Sequence, residues 1–242
     1  FHINIWLKMI YYQNLNHNNM NSVETYQKEL SKIMSNTVDE TGYDDLQPTD
    51  KDYMMYSPSP VGYSSISEQK YIFQNLIIGF NPGNYSMLDV ACGRGDLYGY
   101  IKDLYKNDML LYQGIDINPF MGDLAKQKHN IDITIGTFDS ELDNINVKPA
   151  DWVVASGFFT QRRCETEDQD LHKLFEDVDK MYELANNCVS FNLLSPIGNK
   201  IETGFFYVHP GLIMDMLIEK YQYVTVRNNY TNDVYTVTIY KY

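Results

Sequence analysis

At 242 residues, with 44% hydrophobic and 14% aromatic content, the chain is long enough for one sizeable core and too apolar to be intrinsically disordered. Its formal net charge of −13, from 19 basic and 32 acidic residues, argues against broad binding to a nucleic-acid backbone, which draws on Lys and Arg to release counterions. No run of about 18 apolar residues exists, so no membrane-spanning helix is expected.

The chain opens on Phe1, and its first apolar stretch is too short and interrupted for a secretion signal. Met20 begins "MNSVETYQKELSKIMSN", which reads as the start of a folded protein, so residues 1–19 are expected to be an upstream extension. Over residues 21–36, Val23, Tyr26, Leu30, Ile33 and Met34 recur at helical spacing, with Asn21 as N-cap and Glu24 three residues on. An amphipathic helix is expected there. Residues 37–60 are acidic and carry Pro, Gly and Ser; they predict an irregular connector, either a static surface loop or a lid over a ligand. Residues 1–60 are thus expected to be an N-terminal extension to a domain of residues 61–242.

From residue 63 the pattern changes. "SSISEQKYIFQNLIIGF" predicts a helix with Ser64 or Ser65 at its N-cap, stopped by the Asn81–Gly83 turn. Short apolar strands then alternate with helices. Strands are expected at 86–90, 110–117, 131–136, 151–156 and 188–194, and helices at 96–106, 119–128, 168–187 and 210–220. That alternation predicts an α/β fold, a doubly wound, mostly parallel sheet. The last 22 residues carry two β-rich runs around Asn228–Asp233, an antiparallel hairpin that brings the expected strand count to seven. The three cysteines, Cys92, Cys164 and Cys188, show no metal-ligand spacing and cannot all pair. A reduced, cytoplasmic setting without a metal is expected.

The most informative stretch is "SMLDVACGRGDLYGYI", residues 86–101. Asp89 lies at the carboxyl end of a strand, and Gly93 and Gly95 form a turn that lets backbone approach a ligand closely. Asp116 ends the next strand about twenty residues after that turn, the spacing of a carboxylate that grips a ribose diol. It could instead cap the helix that begins at Pro119. A dinucleotide site usually carries a third glycine three residues further on, which is missing here. Asp96 would also oppose a pyrophosphate at the helix N-terminus. A ligand bearing an ammonium or sulfonium suits Asp89 and Asp96 better.

"MLDVACGRGDL" resembles the first motif of the Rossmann-like (class I) S-adenosylmethionine-dependent methyltransferases, and "GIDIN" resembles their second. The resemblance covers residues 61–242 and includes the terminal hairpin. It implies that Asp89 and the backbone of Ala91, Cys92, Gly93 and Gly95 hold the methionine part of S-adenosylmethionine. Asp116 would bind the ribose hydroxyls, with Ile117 beside the adenine. "GTFDS" implies Phe138 and Asp139 against the adenine, although Thr137 stands where the acid often does. "DWVVASGFF" places Ser156 and Gly157 near the sulfonium, and Ala91 replaces the commonest first glycine. Several segments, among them "SFNLLSP", also resemble small bacterial and phage-type members of undefined substrate, which implies that Tyr63 and Gln69 close over the cofactor; helix-surface packing is the alternative.

No Asn-Pro-Pro-aromatic run follows the fourth strand and no Pro-Cys pair exists, so methylation of DNA bases is not expected. The acceptor, a small molecule or unidentified biopolymer taking the methyl on oxygen or nitrogen, would meet Phe158, Phe159, Arg162 and Arg163. The Arg pair could orient an anion, or simply pair with Glu165, Glu167 and Asp168. His209, Tyr207 and Asn192 are the catalytic candidates, with Tyr230 a further acceptor-side residue; His209 could equally be a helix-start residue without a catalytic role. Two other readings stand beside this one. The first is an NAD(P)-dependent oxidoreductase; the second is a non-catalytic module that keeps the fold inside an oligomer or larger assembly such as a virus particle.

Overall fold

The computed structural model describes residues 51–58, 61–106, 111–138, 147–197 and 201–241. The expected helix at 21–36 and the extension at 1–19 lie outside these residues. The chain divides into two units, residues 1–70 and 71–242. In the first, helix α1 (Lys51–Tyr56) lies within the segment expected to be wholly irregular. Helix α2 (Ile66–Leu76) runs across the division; the Ser65 hydroxyl accepts the Glu68 amide at 3.1 Å and so caps it.

The second unit alternates strand and helix in the expected order: β1 (Ser86–Val90), α3 (Asp96–Tyr105), β2 (Leu111–Asp116), α4 (Pro119–His129), β3 (Thr134–Ile135), β4 (Ala150–Ala155), α5 (Glu167–Leu184), β5 (Ala185–Leu194), α6 (Pro210–Lys220), β6 (Val224–Arg227) and β7 (Val234–Tyr240). Among the described residues the seven strands form one sheet in the order β3-β2-β1-β4-β5-β7-β6. The first five are parallel, whereas β7 runs antiparallel to both β5 and β6. This is a Rossmann-like sheet finished by an antiparallel hairpin.

Period-two alternation gives the sheet two different faces. Leu88 and Val90 of β1, Val153 and Ala155 of β4, Val189 and Phe191 of β5, and Val237 and Ile239 of β7 join Leu174, Val178 and Met181 of α5 and Ile213 and Leu217 of α6 in one apolar core. The intervening positions carry Asp89, Ser190, Asn192, Thr236 and Thr238, all buried. Trp152 also lies at an intervening position, meeting Phe80 edge to face at 5.6 Å. The polar positions on this second face supply the site.

Helix ends follow local chemistry. The Asn118 side chain accepts the Phe120 amide ahead of Pro119, and Thr166 and Gln169 form a reciprocal capping box on α5. Three boundaries depart from expectation. α2 ends at Leu76 rather than running to the Asn81–Gly83 turn, and the Phe80 amide closes a turn on the Ile77 carbonyl. β3 is two residues long rather than six, and β5 starts at Ala185, directly after α5, so the expected helical stretch 185–187 is strand.

Candidate functional site

β1 lies between β2 and β4, so the sheet order reverses at its carboxyl end; ligands of doubly wound sheets bind at this switch point. Register puts Val90 level with Ile115 and Ala155, and Ala155 level with Phe191. The segments after β1, β2 and β4 therefore emerge side by side. Three residues of the turn after β1 have positive φ: Ala91 (56°), Gly93 (55°) and Gly95 (77°). The turn is closed by the Gly95 amide donating to the Cys92 carbonyl, and tied to β2 by the Cys92 amide donating to Ile115, both at 3.0 Å.

Asp116 completes this unit. One carboxylate oxygen accepts the Gly93 amide at 2.8 Å and the other accepts the Asn118 amide at 2.9 Å. The cap of α4 is Asn118 and not Asp116, which instead braces the glycine turn and the backbone just ahead of α4. Each oxygen retains a second acceptor direction, which suits a vicinal diol. Burial raises its pKa, and the two amides offset part of that rise. Ile117 follows it, half-buried.

Asp89 is 2% exposed, and its hydrogen-bond partner among the described residues is the neutral Tyr112 hydroxyl, which donates at 2.7 Å. Burial pushes the Asp89 carboxyl up to about 7; the Tyr112 hydrogen bond opposes the shift, and the charges of Asp116 and Asp96 add to it. A buried carboxylate with a neutral donor and acidic neighbours has its charge uncompensated, and a cationic ligand group fits it. Cys92 is buried beside it, with its thiol pushed well above the ordinary value by burial and by Asp89 and Asp116, an environment that disfavours the nucleophilic thiolate.

Asp96 behaves differently from expectation. Arg94, 1% exposed, grips it at 2.9 Å, and Lys128 reaches it at 2.7 Å. Burial alone would raise its pKa, but Arg94, His129 and Lys128 hold it well below the usual carboxylate range. The charge of Asp96 is balanced within the protein, so the repulsion of an anion expected from it does not arise, and the preference for a cation rests on Asp89. The missing third glycine also has a counterpart. A Cβ on Gly99 would lie 2.3 Å from the His129 ring, so this glycine lets α3 and α4 pack closely.

After β4, Gly157 (φ 79°) turns the chain. Asn192 of β5 accepts its amide at 2.8 Å and donates to the Ser156 hydroxyl at 3.2 Å. Both ends of the Asn192 carboxamide are thus engaged in shaping the Ser156–Gly157 loop. Phe138 joins the core and meets Phe158 edge to face at 6.3 Å; Asp139 lies outside the described residues. Phe159 is fully buried and meets both Phe158 and Phe191 edge to face, whereas Phe158 is half-buried.

Arg162 and Arg163 are held by α5, through different acids from those expected. Arg162 pairs with Asp170 at 3.1 Å and Arg163 with Asp177 at 2.7 Å. The Arg163 guanidinium also lies 4.8 Å from the Phe158 ring centre. Both cations anchor the loop. The exposed His209 accepts the Gly211 amide on Nδ1 and caps α6. Tyr207 is half-buried, with its pKa raised by burial. Tyr230, held by a 2.7 Å hydrogen bond with Thr236, is pushed up to about 12 by burial; a hydroxyl shifted this way is a poor base at neutral pH. Tyr63 and Gln69 belong to the first unit.

No known family profile and no curated protein matches the sequence. Solved structures do. A S-adenosylmethionine-dependent methyltransferase from Archaeoglobus fulgidus matches with TM-score 0.51 and 17% identity, over 73% of this chain and 95% of that one. Magnesium protoporphyrin IX methyltransferase from Synechocystis PCC 6803, with S-adenosylmethionine bound, matches with TM-score 0.51 and 11% identity, over 93% of this chain and all of that one. The complex of DhpI with S-adenosylhomocysteine matches with TM-score 0.50 and 13% identity, over 89% and 92%. At these identities the likeness shows the fold: that of the class I S-adenosylmethionine-dependent methyltransferases.

Proposed function

We propose that residues 61–242 form a methyltransferase domain that moves the methyl of S-adenosylmethionine to an oxygen or nitrogen of a small molecule or unidentified biopolymer. The observation that carries this reading is the joint geometry at the switch point. A left-handed turn at Ala91, Gly93 and Gly95 is braced by Asp116, beside a buried Asp89 whose charge lacks a cationic partner among the described residues. A dinucleotide pyrophosphate would bring negative charge toward Asp89, whereas an amino-acid ammonium or a sulfonium would bring positive charge.

In this reading Asp89 receives the ammonium and the backbone of Ala91, Cys92, Gly93 and Gly95 follows the methionine chain. Asp116 accepts the ribose hydroxyls. Ile117 and Phe138 border the adenine. The bound group supplies a sulfonium methyl open to direct displacement, and the protein's task is to aim the acceptor. Ser156 and Gly157, fixed by Asn192, form the floor on that side, and Phe158, with Arg163 over its ring, offers an aromatic wall.

Isothermal titration calorimetry tests the reading. Binding of S-adenosylhomocysteine without binding of NAD supports it. Binding of NAD alone would favour an oxidoreductase, and a large assembly that takes neither ligand would favour a structural module; either result overturns the proposal.

A further inference from the structure

Tyr112 drew no notice in the sequence, yet it gives Asp89 its hydrogen bond. On β2 it stands level with Met87, two residues before Gly114, which stands level with Asp89. Tyr112 and Gly114 therefore share the sheet face that carries Asp89. A Cβ on Gly114 would lie 2.7 Å from the Cys92 sulfur and 3.2 Å from the Tyr112 ring. The absence of a side chain at Gly114 lets Cys92 and the Tyr112 ring occupy that space. Tyr98 of α3 packs against it as well, its ring centre 5.1 Å from that of Tyr112.

Among the described residues, three elements supply the charged and titratable surroundings of Asp89. β2 contributes Tyr112 and Asp116, the turn contributes Cys92, and α3 contributes Asp96, already paired with Arg94 and Lys128. β4 presents Val154 at the same level. Tyr112 is therefore the group that stabilises the ionised form of Asp89 before any ligand arrives.

Resting on the methyltransferase reading, we propose that Tyr112 is a positioning residue that holds Asp89 for the ammonium of the cofactor, and that cofactor binding releases a proton from Asp89. The step balances as a neutral carboxyl plus a ligand ammonium giving a carboxylate–ammonium pair and one proton passed to solvent. The raised carboxyl of the ligand-free protein fits this coupling.

The probe is S-adenosylhomocysteine, titrated into the full chain. The dissociation constant is expected to fall about tenfold between roughly pH 6 and pH 8, as a group with a pKa of about 7 ionises. Calorimetry in buffers of different ionisation enthalpy is expected to show release of between roughly half and one proton per site near pH 6.5, and Asp89→Asn should abolish that release. Tyr112→Phe removes a bond to the ionised form, so the rise in affinity should move to higher pH. Its deficit should be greatest at the acid end of this range and shrink toward pH 9.

A pH-independent loss in Tyr112→Phe would mark Tyr112 as packing only and overturn the inference. Binding to the wild-type chain without proton release overturns it as well, even if Tyr112→Phe does not fold. In either case S-adenosylhomocysteine still binds, and the methyltransferase reading stands. No binding at any pH overturns both.

Discussion

The amide of Gly93 donates to the carboxylate of Asp116 at 2.8 Å, across 23 residues of sequence. The glycine turn and the acid expected on the ribose are thereby one mechanical unit, and Asp116 has a structural role before it has a ligand. In Asp116→Asn the single amide oxygen cannot accept from both Gly93 and Asn118, and its NH2 group would face one of those donors. We expect a loss of about 1–3 kcal/mol in ligand-free stability, read by urea denaturation. A second loss is expected in affinity for S-adenosylhomocysteine. Unchanged ligand-free stability would show that the brace is dispensable.

Ala91 occupies a left-handed conformation, φ 56°, that an L side chain adopts at a cost of roughly 1–2 kcal/mol. Glycine removes that cost but loses more chain entropy on folding, about 0.5–1 kcal/mol. Ala91→Gly should therefore stabilise the protein by up to about 1.5 kcal/mol, and Ala91→Val, β-branched, should destabilise it. Paired urea titrations give both signs. A destabilised Gly variant would mean that the alanine methyl makes a contact worth more than the strain.

The turn, Asp89 and Asp116 were legible because their chemistry is local: strand end, glycine spacing, next strand end. Boundaries were legible where a cap or turn is written into neighbouring residues, as at Ser86–Val90 and Pro210–Lys220. β3 was overestimated because its apolar residues serve elsewhere: Ile131 fills the space beside Gly95, and Ile133 lies against Gly114 and Gly122. The join of α5 to β5 was expected three residues late, at 187–188, because no glycine or proline marks the point where the chain passes directly from Leu184 to Ala185. Asn192 with Gly157, Arg163 with Asp177 and Gly99 with His129 are meetings across 14 to 35 residues. Their partners follow from strand order and helix packing, which no local pattern states. Tyr112 had one available signal, an aromatic on the same strand face as a glycine.

Gly99 tests the α3–α4 contact. An alanine there gains helix propensity, roughly 1 kcal/mol, but its Cβ would lie 2.3 Å from the His129 ring. With His129 held beside Tyr98 and Asp96, we expect Gly99→Ala to cost about 1–2 kcal/mol net. In a His129→Ala background the same change should become stabilising. A double-mutant cycle checks this; equal effects in both backgrounds would show that the ring moves aside freely.

Arg163 is the principal anchor of the loop that carries Phe158. Asp177, its partner, is fully buried and keeps a second contact, to Lys173 at 3.2 Å. Removing the guanidinium in Arg163→Ala leaves that carboxylate poorly compensated and should cost about 3 kcal/mol, seen as a lowered denaturation midpoint. Adding Asp177→Leu to Arg163→Ala should recover part of the loss, because the uncompensated charge goes with it. If the double variant is worse than the single, the damage lies in lost packing on Phe158 and not in the orphaned charge.

Asp89 gives the opposite trade, stability gained and binding lost. Its folded carboxyl stands near 7 against an ordinary value of 3.8, so between those values the folded state binds more protons than the unfolded one. Stability therefore falls as pH rises through that window and levels off above it. The size is on the order of 2–4 kcal/mol. Asp116, also raised, adds a slope of the same sign. Asp96, lowered, adds stability that is present above the ordinary carboxylate range and lost in stronger acid. Asp89→Asn keeps an oxygen for the Tyr112 hydroxyl and removes the charge. Near pH 8 the ligand-free variant should be more stable than the wild type by an amount that vanishes near pH 4, while its affinity for S-adenosylhomocysteine drops. Urea denaturation across this range, set beside calorimetry on the same two proteins, measures both effects. A wild-type advantage in ligand-free stability near pH 8 would show that the buried charge already has a partner in the protein, and the case for a cationic ligand at Asp89 would fail.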